Sequence, residues 1–249
     1  MGLIHHFFAL ALALSAPLSQ AQRFKRLDTL LGACHMYTET FDTCMQDVFN
    51  DLRVFFKNGI PEFNIKPFDP HKAAYVEQRR GDLHGIGGYD LILKNVSEFG
   101  WSNSKVTKFK SDLDNNQIEY SQFFPEKSLE GTYEFSGKLM GAAVENAGIW
   151  NLTLYNYSQT TTVRRLGGPG SILKVHVEVD KIGGMTLHIS DFFGSRAVHL
   201  NNIADTVINS MWKAGLPFLK PLINELVSTA FTDIFNESFR YFPISNFVK

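Results

Sequence analysis

Few residues in this chain have the types and spacing that catalysis needs. Its 249 residues contain no Gly-x-Ser-x-Gly elbow, no His-Glu-x-x-His zinc helix and no Walker-type phosphate loop. Gly85-Ile86-Gly87-Gly88 is rich in glycine but lacks the spacing of a dinucleotide-binding turn, and it reads as a plain turn. His176 and His188 fall on the wet faces of two neighbouring strands; without a third ligand nearby they read as surface histidines, not a metal pair. The other titratable residues offer no set of nucleophile, base and orienting acid. The expectation is a protein that is not an enzyme and that uses neither cofactor nor metal.

Cys34 and Cys44 are the only cysteines. In an oxidising compartment an even count favours a disulfide over two free thiols. Export is suggested by the apolar run from Phe7 to Leu14, followed by Pro17 and by Ser19-Gln20-Ala21, whose small residues suit a cut after Ala21. The run is far short of the ~20 residues that a spanning helix needs. Residues 1–21 are therefore expected to be a signal peptide and 22–249 a single domain, secreted into an extracellular fluid. Sequons at Asn95, Asn151, Asn156 and Asn236 agree with export and mark candidate glycan sites. Arg23-Phe24-Lys25-Arg26 reads either as a processing site or as a charged tail, the tail being the commoner case.

Composition narrows the partners. The chain is 44% hydrophobic with 22 Phe and a net charge of -1, and no run of like charge stands out. Nucleic acid, anionic membrane surfaces and stable membrane insertion are not expected.

Positioning falls to two kinds of element. From Asn202 to Phe239 apolar residues recur at helical spacing in two rows, Ile203, Val207, Met211, Ala214, Phe218, Leu222 and Leu226 beside Ile208, Leu219, Ile223, Val227 and Phe231. Asn209, Lys213, Lys220, Asn224, Ser228, Thr232 and Asn236 form the opposite, polar strip. Gly215, Pro217 and Pro221 predict a kink or two helices in series. Residues 28–58 predict a first helix or a pair of helical turns, with Phe41, Met45, Val48, Leu52 and Phe55 on one stripe. Between Ala74 and Phe193 the period becomes two, as in Leu173, Val175, Val177 and Val179, or Trp150, Leu152 and Leu154. Asn115-Asn116, Pro125, Gly148 and Gly167-Gly168-Pro169-Gly170 are expected to separate the strands, and Gly183-Gly184 to turn a hairpin. The fold expected is α+β: a long C-terminal helix wrapped by a strongly curved antiparallel sheet, with an elongated apolar space between them.

Several motifs then resemble one family. The paired cysteines, Gly59-Ile60-Pro61-x-Phe63, Pro67-x-x-Pro70, Lys94-Asn95-Val96, Leu129-x-Gly131-x-Tyr133 and Asp191-Phe192-Phe193-Gly194 are similar, in order and spacing, to the takeout and juvenile-hormone-binding proteins of insects. The resemblance covers nearly all of the mature chain. It implies the same wrapped-helix fold and a carrier in haemolymph or a similar fluid, holding a juvenile-hormone-like terpenoid, a fatty acid or another lipid in an internal tunnel. Two departures are the nine residues between Cys34 and Cys44 and the segment Gly141-Ala142-Ala143-Val144.

For such a ligand the inward-facing candidates are Phe135, Leu139, Trp150, Leu152, Val175, Val177, Leu187, Met211, Phe218, Leu222, Leu226 and Phe231, each of which plain core packing also explains. Tyr133 or Tyr120 would supply a polar handle. A monomer is expected, with a receptor as a further partner. A secreted lipid or ester hydrolase and an extracellular interaction protein with a filled core are the alternatives.

Overall fold

One helix sets the length of the molecule. In the computed structural model, which describes residues 20–81, 88–139, 142–193 and 198–248, this helix is the last long element, Val198–Phe239. The residues of the expected leader through Ser19, the expected turn at residues 85–87, Gly141 and Gly194 lie outside the described residues. At ~1.5 Å per residue the helix is about 63 Å long. It is a single helix with Pro217 and Pro221 inside it and both rings exposed, so of the two expected forms, a kink or two helices in series, the second does not occur. A carbonyl deprived of its partner on the wet side of a helix is solvated, which allows the helix to continue.

Two shorter helices precede the sheet. The first, α1 (Gln20–Leu31), buries Leu27 and Leu31, and spans residues expected to be the end of the leader and a tail. A disulfide between Cys34 and Cys44 ties its end to α2 (Phe41–Asp51), which buries Phe41, Met45 and Val48 as the stripe predicted. Of the helix or pair of helical turns expected over residues 28–58, the structure has the end of α1 followed by α2, and α2 does not run on to residue 58. It gives way to one-turn 3-10 segments at Leu52–Phe55 and Pro61–Phe63.

The sheet has seven antiparallel strands: β1 (His71–Arg80), β2 (Tyr89–Phe99), β3 (Lys105–Asp112), β4 (Gln117–Leu139), β5 (Ala142–Arg165), β6 (Leu173–Lys181) and β7 (Gly184–Ile189). Their order is β1-β2-β4-β5-β6, with β3 also on β4 and β7 also on β5, and the sheet does not close on itself. The long helix, α3, lies along it. The α+β expectation of a C-terminal helix against a curved antiparallel sheet is therefore met.

Three expected turns are something else. Pro125 lies inside β4 and Gly148 inside β5. Pro125 and Asn156 drop out of the ladder opposite each other, the first lacking an N–H and the second at φ 47°. Gly148 is required by packing, because a Cβ there would come within 2.8 Å of the Ser190 carbonyl oxygen. Gly183-Gly184 makes no hairpin. β7 pairs with β5, in line with β6, so the two glycines form a jog in one edge that lies beside Asn156.

These irregularities decide which side chains point inward. On β4 Tyr120, Gln122 and Phe124 are buried, Pro125 and Glu126 are exposed, and Lys127 is buried again. On β5 the same two-residue step occurs at Tyr155 and Asn156, between buried Leu154 and Tyr157. On β2 the register shifts between Lys94 and Ser97, beyond which Val96 and Glu98 point inward. One extra residue reverses the faces of everything after it and bends the strand.

Most of the polar strip of α3 faces the sheet edge, not water, Lys213 being the exposed exception. Asn236, Thr232, Ser228 and Asn224 accept hydrogen bonds from the N–H groups of Leu173, Val175, Val177 and Val179 at 2.8–3.1 Å. Asn209 and Asp205 do the same for Leu187 and Ile189 on β7. The helix thus occupies the unpaired edge of the sheet. This rotates its first apolar row outward: Ile203 and Val207 are about half exposed, Met211 62% and Phe218 81%.

Candidate ligand cavity

At the end of the molecule capped by α1 and α2 lies an apolar cavity of about 360 Å³. That is within the range of small-molecule sites, about 300–1,000 Å³. Its floor comes from the helical segments through Met45, Phe49, Leu52, Phe55 and Phe56, and its walls from Val106, Ile118, Tyr120, Gln122, Val163 and Leu173 on the sheet. Phe235 and Phe239 of α3 and Phe242 close the remaining side, with Trp101 and Phe68 at the inner end. Gly59 lines it as well. It holds φ 65° against the backbone of Ile65 to Pro67, where a Cβ would lie 2.7 Å from the Lys66 carbonyl carbon. That is what the Gly59-Ile60-Pro61 motif requires of its glycine.

The polar groups in this wall are mostly tied to backbone. Arg53 donates from Nε to the Asn50 carbonyl and from Nη1 to the Ser104 carbonyl at 2.6 Å. Arg165 Nη1 donates to the carbonyls of Ser171 and Arg240; desolvation, helped by the nearby Arg240 charge, pulls its guanidinium below the usual value. Burial pushes the Tyr120 phenol well above its usual range, partly offset by a hydrogen bond with Thr161. No wall carboxylate is present; Ser104, Asn116 and Gln122 are the other polar side chains, and the remainder is aliphatic and aromatic.

Behind the cavity sits a buried ion pair. Lys127 Nζ is 2.6 Å from Glu98 Oε1, with the side chains 4% and 7% exposed. The ammonium lies 4.5 Å from the ring centres of both Trp101 and Phe124, and 5.4 and 5.7 Å from those of Tyr157 and Phe231. It also donates to Gln159 Oε1 at 3.4 Å, which accepts from Tyr157 Oη at 2.9 Å. Such a cage satisfies a charge in low dielectric by carboxylate and ring faces together. Desolvation pushes the Tyr157 phenol up strongly.

The sequence-chosen residues fall elsewhere. None of them lines this cavity. Val175, Val177 and Phe231 are buried core. Phe135, Trp150, Leu152 and Leu187 are half-buried towards the other end of the sheet, and Leu222 and Leu226 are half-buried on α3. Met211 and Phe218, expected to point inward, are exposed for the reason given above. Leu139 ends β4, and its side chain lies outside the described residues. Tyr133 donates to the Ser190 carbonyl at 2.6 Å, so of the two proposed handles only Tyr120 reaches the cavity. The cluster at Phe49, Phe55 and Phe56 was the available signal for this end.

The other marked residues divide similarly. Asn95, Asn151 and Asn156 are exposed. Asn236 differs from the expectation of a glycan site, since its amide nitrogen donates to the Leu173 carbonyl at 2.7 Å. His176 is exposed, and His188 pairs through Nδ1 with Asp205. Among the described residues no group of His, Cys, Asp and Glu could hold a metal ion, and no helix is long and apolar enough to cross a membrane.

Comparison with known proteins adds a family and a fold. Residues 7–249 match the family model described as "Haemolymph juvenile hormone binding protein (JHBP)". The crystal structure of Epiphyas postvittana Takeout 1 superposes with a TM-score of 0.55 at 19% identity, covering 87% of this chain and 98% of that one, which shows the same fold. A lipopolysaccharide binding protein aligns over 64% of this chain and 34% of its own at 10% identity, with a TM-score of 0.24 that supports no argument. No curated protein matches the chain.

Proposed function

The chain belongs to the haemolymph juvenile hormone binding protein family, which makes it a carrier of lipid- or hormone-like molecules in the broad sense, and we propose that it is secreted as a monomer and carries one small apolar ligand in the cavity beside α1 and α2. The observation that carries this reading is the cavity of about 360 Å³ with an almost wholly apolar wall. Burying a ligand there is driven by ~25 cal/mol for each Å² of apolar surface removed from water. A terpenoid hormone, a fatty acid and another lipid all suit such a wall. Phe135, Trp150, Leu152 and Leu187, half-buried towards the other end of the sheet, would serve the far end of a longer ligand.

Export is part of the same proposal, supported by the apolar segment Phe7 to Leu14 and by the exposed sequons at Asn95, Asn151 and Asn156. A cut after Ala21 would leave nearly all of α1 on the mature chain, keeping Leu27 and Leu31 in the core.

The test is organic extraction and mass spectrometry of the protein collected from the medium of secreting insect cells, against a control protein treated alike. A stoichiometric apolar molecule is expected, together with a mature N-terminus at Gln22. After delipidation, adding ligand at 100 times its Kd should restore about 2.7 kcal/mol of stability. An empty extract and no stabilisation by terpenoids, fatty acids or other lipids would sink the carrier reading and favour a filled-core interaction protein.

A further inference from the structure

The cavity wall carries positive charge and no negative charge. Arg53 and Arg165 line it, without a single Asp or Glu. Neither guanidinium has a carboxylate partner among the described residues, and the charge that acts on Arg165 is a further cation, Arg240. A cation withdrawn from water is ordinarily matched by an anion. Here the chain supplies only carbonyls.

Arg165 is the better placed of the two. It ends β5 and follows buried Val163 and exposed Arg164, so its side chain turns inward. Its backbone N–H donates to the Asn116 carbonyl at 3.0 Å. Asn116 and Ile244, both exposed, line the cavity too, which puts Arg165 where the cavity meets the surface. Nη1 has two protons and uses both, on the Ser171 carbonyl at 3.1 Å and the Arg240 carbonyl at 3.0 Å. Nε–H and the protons of Nη2 have no partner in the chain, and unlike Trp101 Nε1 they are not sealed from water. Nε and Nη2 form one straight edge of the guanidinium, which can take both oxygens of a carboxylate. Arg53 has already given the Nε–H of that edge to the Asn50 carbonyl.

Resting on the carrier reading, we propose that the cavity takes long-chain carboxylates, the tail running in towards Phe68 and Trp101 and the head held at the entrance by Nε and Nη2 of Arg165. The head stays where water still reaches it, so no charge has to enter the apolar interior. Arg53 and Arg240 add charge of the same sign around it, and the low-dielectric wall strengthens their pull on an anion. A neutral ester keeps the apolar contacts but leaves the fork to water. A long-chain ammonium is repelled.

The experiment measures affinities for dodecanoate, its uncharged isomer methyl undecanoate and dodecylammonium at about pH 8, where the acid is ionised. Displacement of a neutral fluorescent naphthylamine probe from the delipidated full-length secreted protein gives the three values. Dodecanoate is expected to bind roughly tenfold more tightly than the ester, and the ammonium more weakly than either. Arg165→Gln should weaken dodecanoate about tenfold and leave the ester within about threefold of the parent. A purely structural tether between the Ser171 and Arg240 carbonyls would weaken both ligands alike, and that result overturns the assignment to Arg165. Should the variant fail to fold, the wild-type order decides. Equal or weaker binding of dodecanoate than of the ester by the wild-type protein overturns the selectivity and leaves the carrier reading standing. Failure of all three to bind overturns both.

Discussion

Asn236 of α3 holds Leu173 of β6 by both halves of its backbone, accepting from the N–H at 2.9 Å and donating to the carbonyl at 2.7 Å. A side-chain amide presents the same donor and acceptor as a peptide group, so this helix residue stands in for the missing next strand. Thr232 and Ser228 repeat the arrangement with Val175 and Val177, each hydroxyl lying within 3.4 Å of both the N–H and the carbonyl. An unpaired edge invites pairing with another chain. Here the helix covers it.

Breaking this seam should cost stability and expose the edge. Asn236→Leu keeps the bulk and removes both bonds, so about 1–3 kcal/mol should be lost in urea denaturation. Thr232→Val in addition should enlarge the loss and raise aggregation on warming, read by light scattering. A double variant as stable and soluble as the parent would show that the seam is held by apolar packing instead.

The buried pair makes a second forecast. Lys127→Met fits the aromatic cage of Trp101, Phe124, Tyr157 and Phe231 but leaves Glu98 buried and unpaired. About 3–5 kcal/mol should be lost. Adding Glu98→Gln should recover part of it, since the second charge is then gone too. A single variant that loses less than the double variant would contradict the pairing.

These two sites also mark how far the sequence could be read. The long helix and the alternating strands were legible, because the 3.6 and 2.0 periods report which side of an element is covered. The partner of the polar strip was not: Asn209, Asn224, Ser228, Thr232 and Asn236 look like a solvated face, and only the open edge of β6 and β7 gives them another use. Assigning water to that strip is what turned Met211 and Phe218 inward in the sequence reading and outward in the fold. Lys127 and Glu98 point inward because each lies just past an irregularity, Pro125 or the step after Lys94, that reverses the faces. Periodicity in a short window cannot carry a phase across such a step. The cavity was missed because its wall joins α1, α2, four strands and the end of α3, and no single run of residues contains it.

Acid should weaken the fold through His71. Desolvation lowers its pKa below the usual 6.5 and outweighs Glu98 and Glu237, which pull upward; Lys127 and Lys66 add to the lowering. The unfolded chain therefore binds a proton near pH 6.5 that the folded chain still refuses, and stability falls as pH drops from about 6.5 until the folded imidazole titrates. Above that value His71 contributes no slope. Denaturation midpoints between pH 7.5 and 5 should fall less steeply in His71→Gln than in the parent. An identical slope would assign the acid sensitivity to other groups.

Which end of the interior holds the ligand can be decided by a pair of variants. Ile118→Trp places extra volume in the cavity wall, where overpacking costs ~1–3 kcal/mol but the fold should survive. Trp150→Ala instead opens space at the other end, beside Gly131, whose Cβ position is 3.3 Å from Trp150 Nε1. If the cavity beside α1 and α2 is the site, the first variant should lose at least about tenfold in affinity for a short apolar chain, a displacement worth ~1.4 kcal/mol, and the second should bind it as the parent does. For a chain too long for about 360 Å³ both variants should weaken, because such a ligand must extend along Phe135, Trp150 and Leu152. The reverse order for the short chain, with Trp150→Ala the weaker binder, would move the site to the opposite half of the sheet.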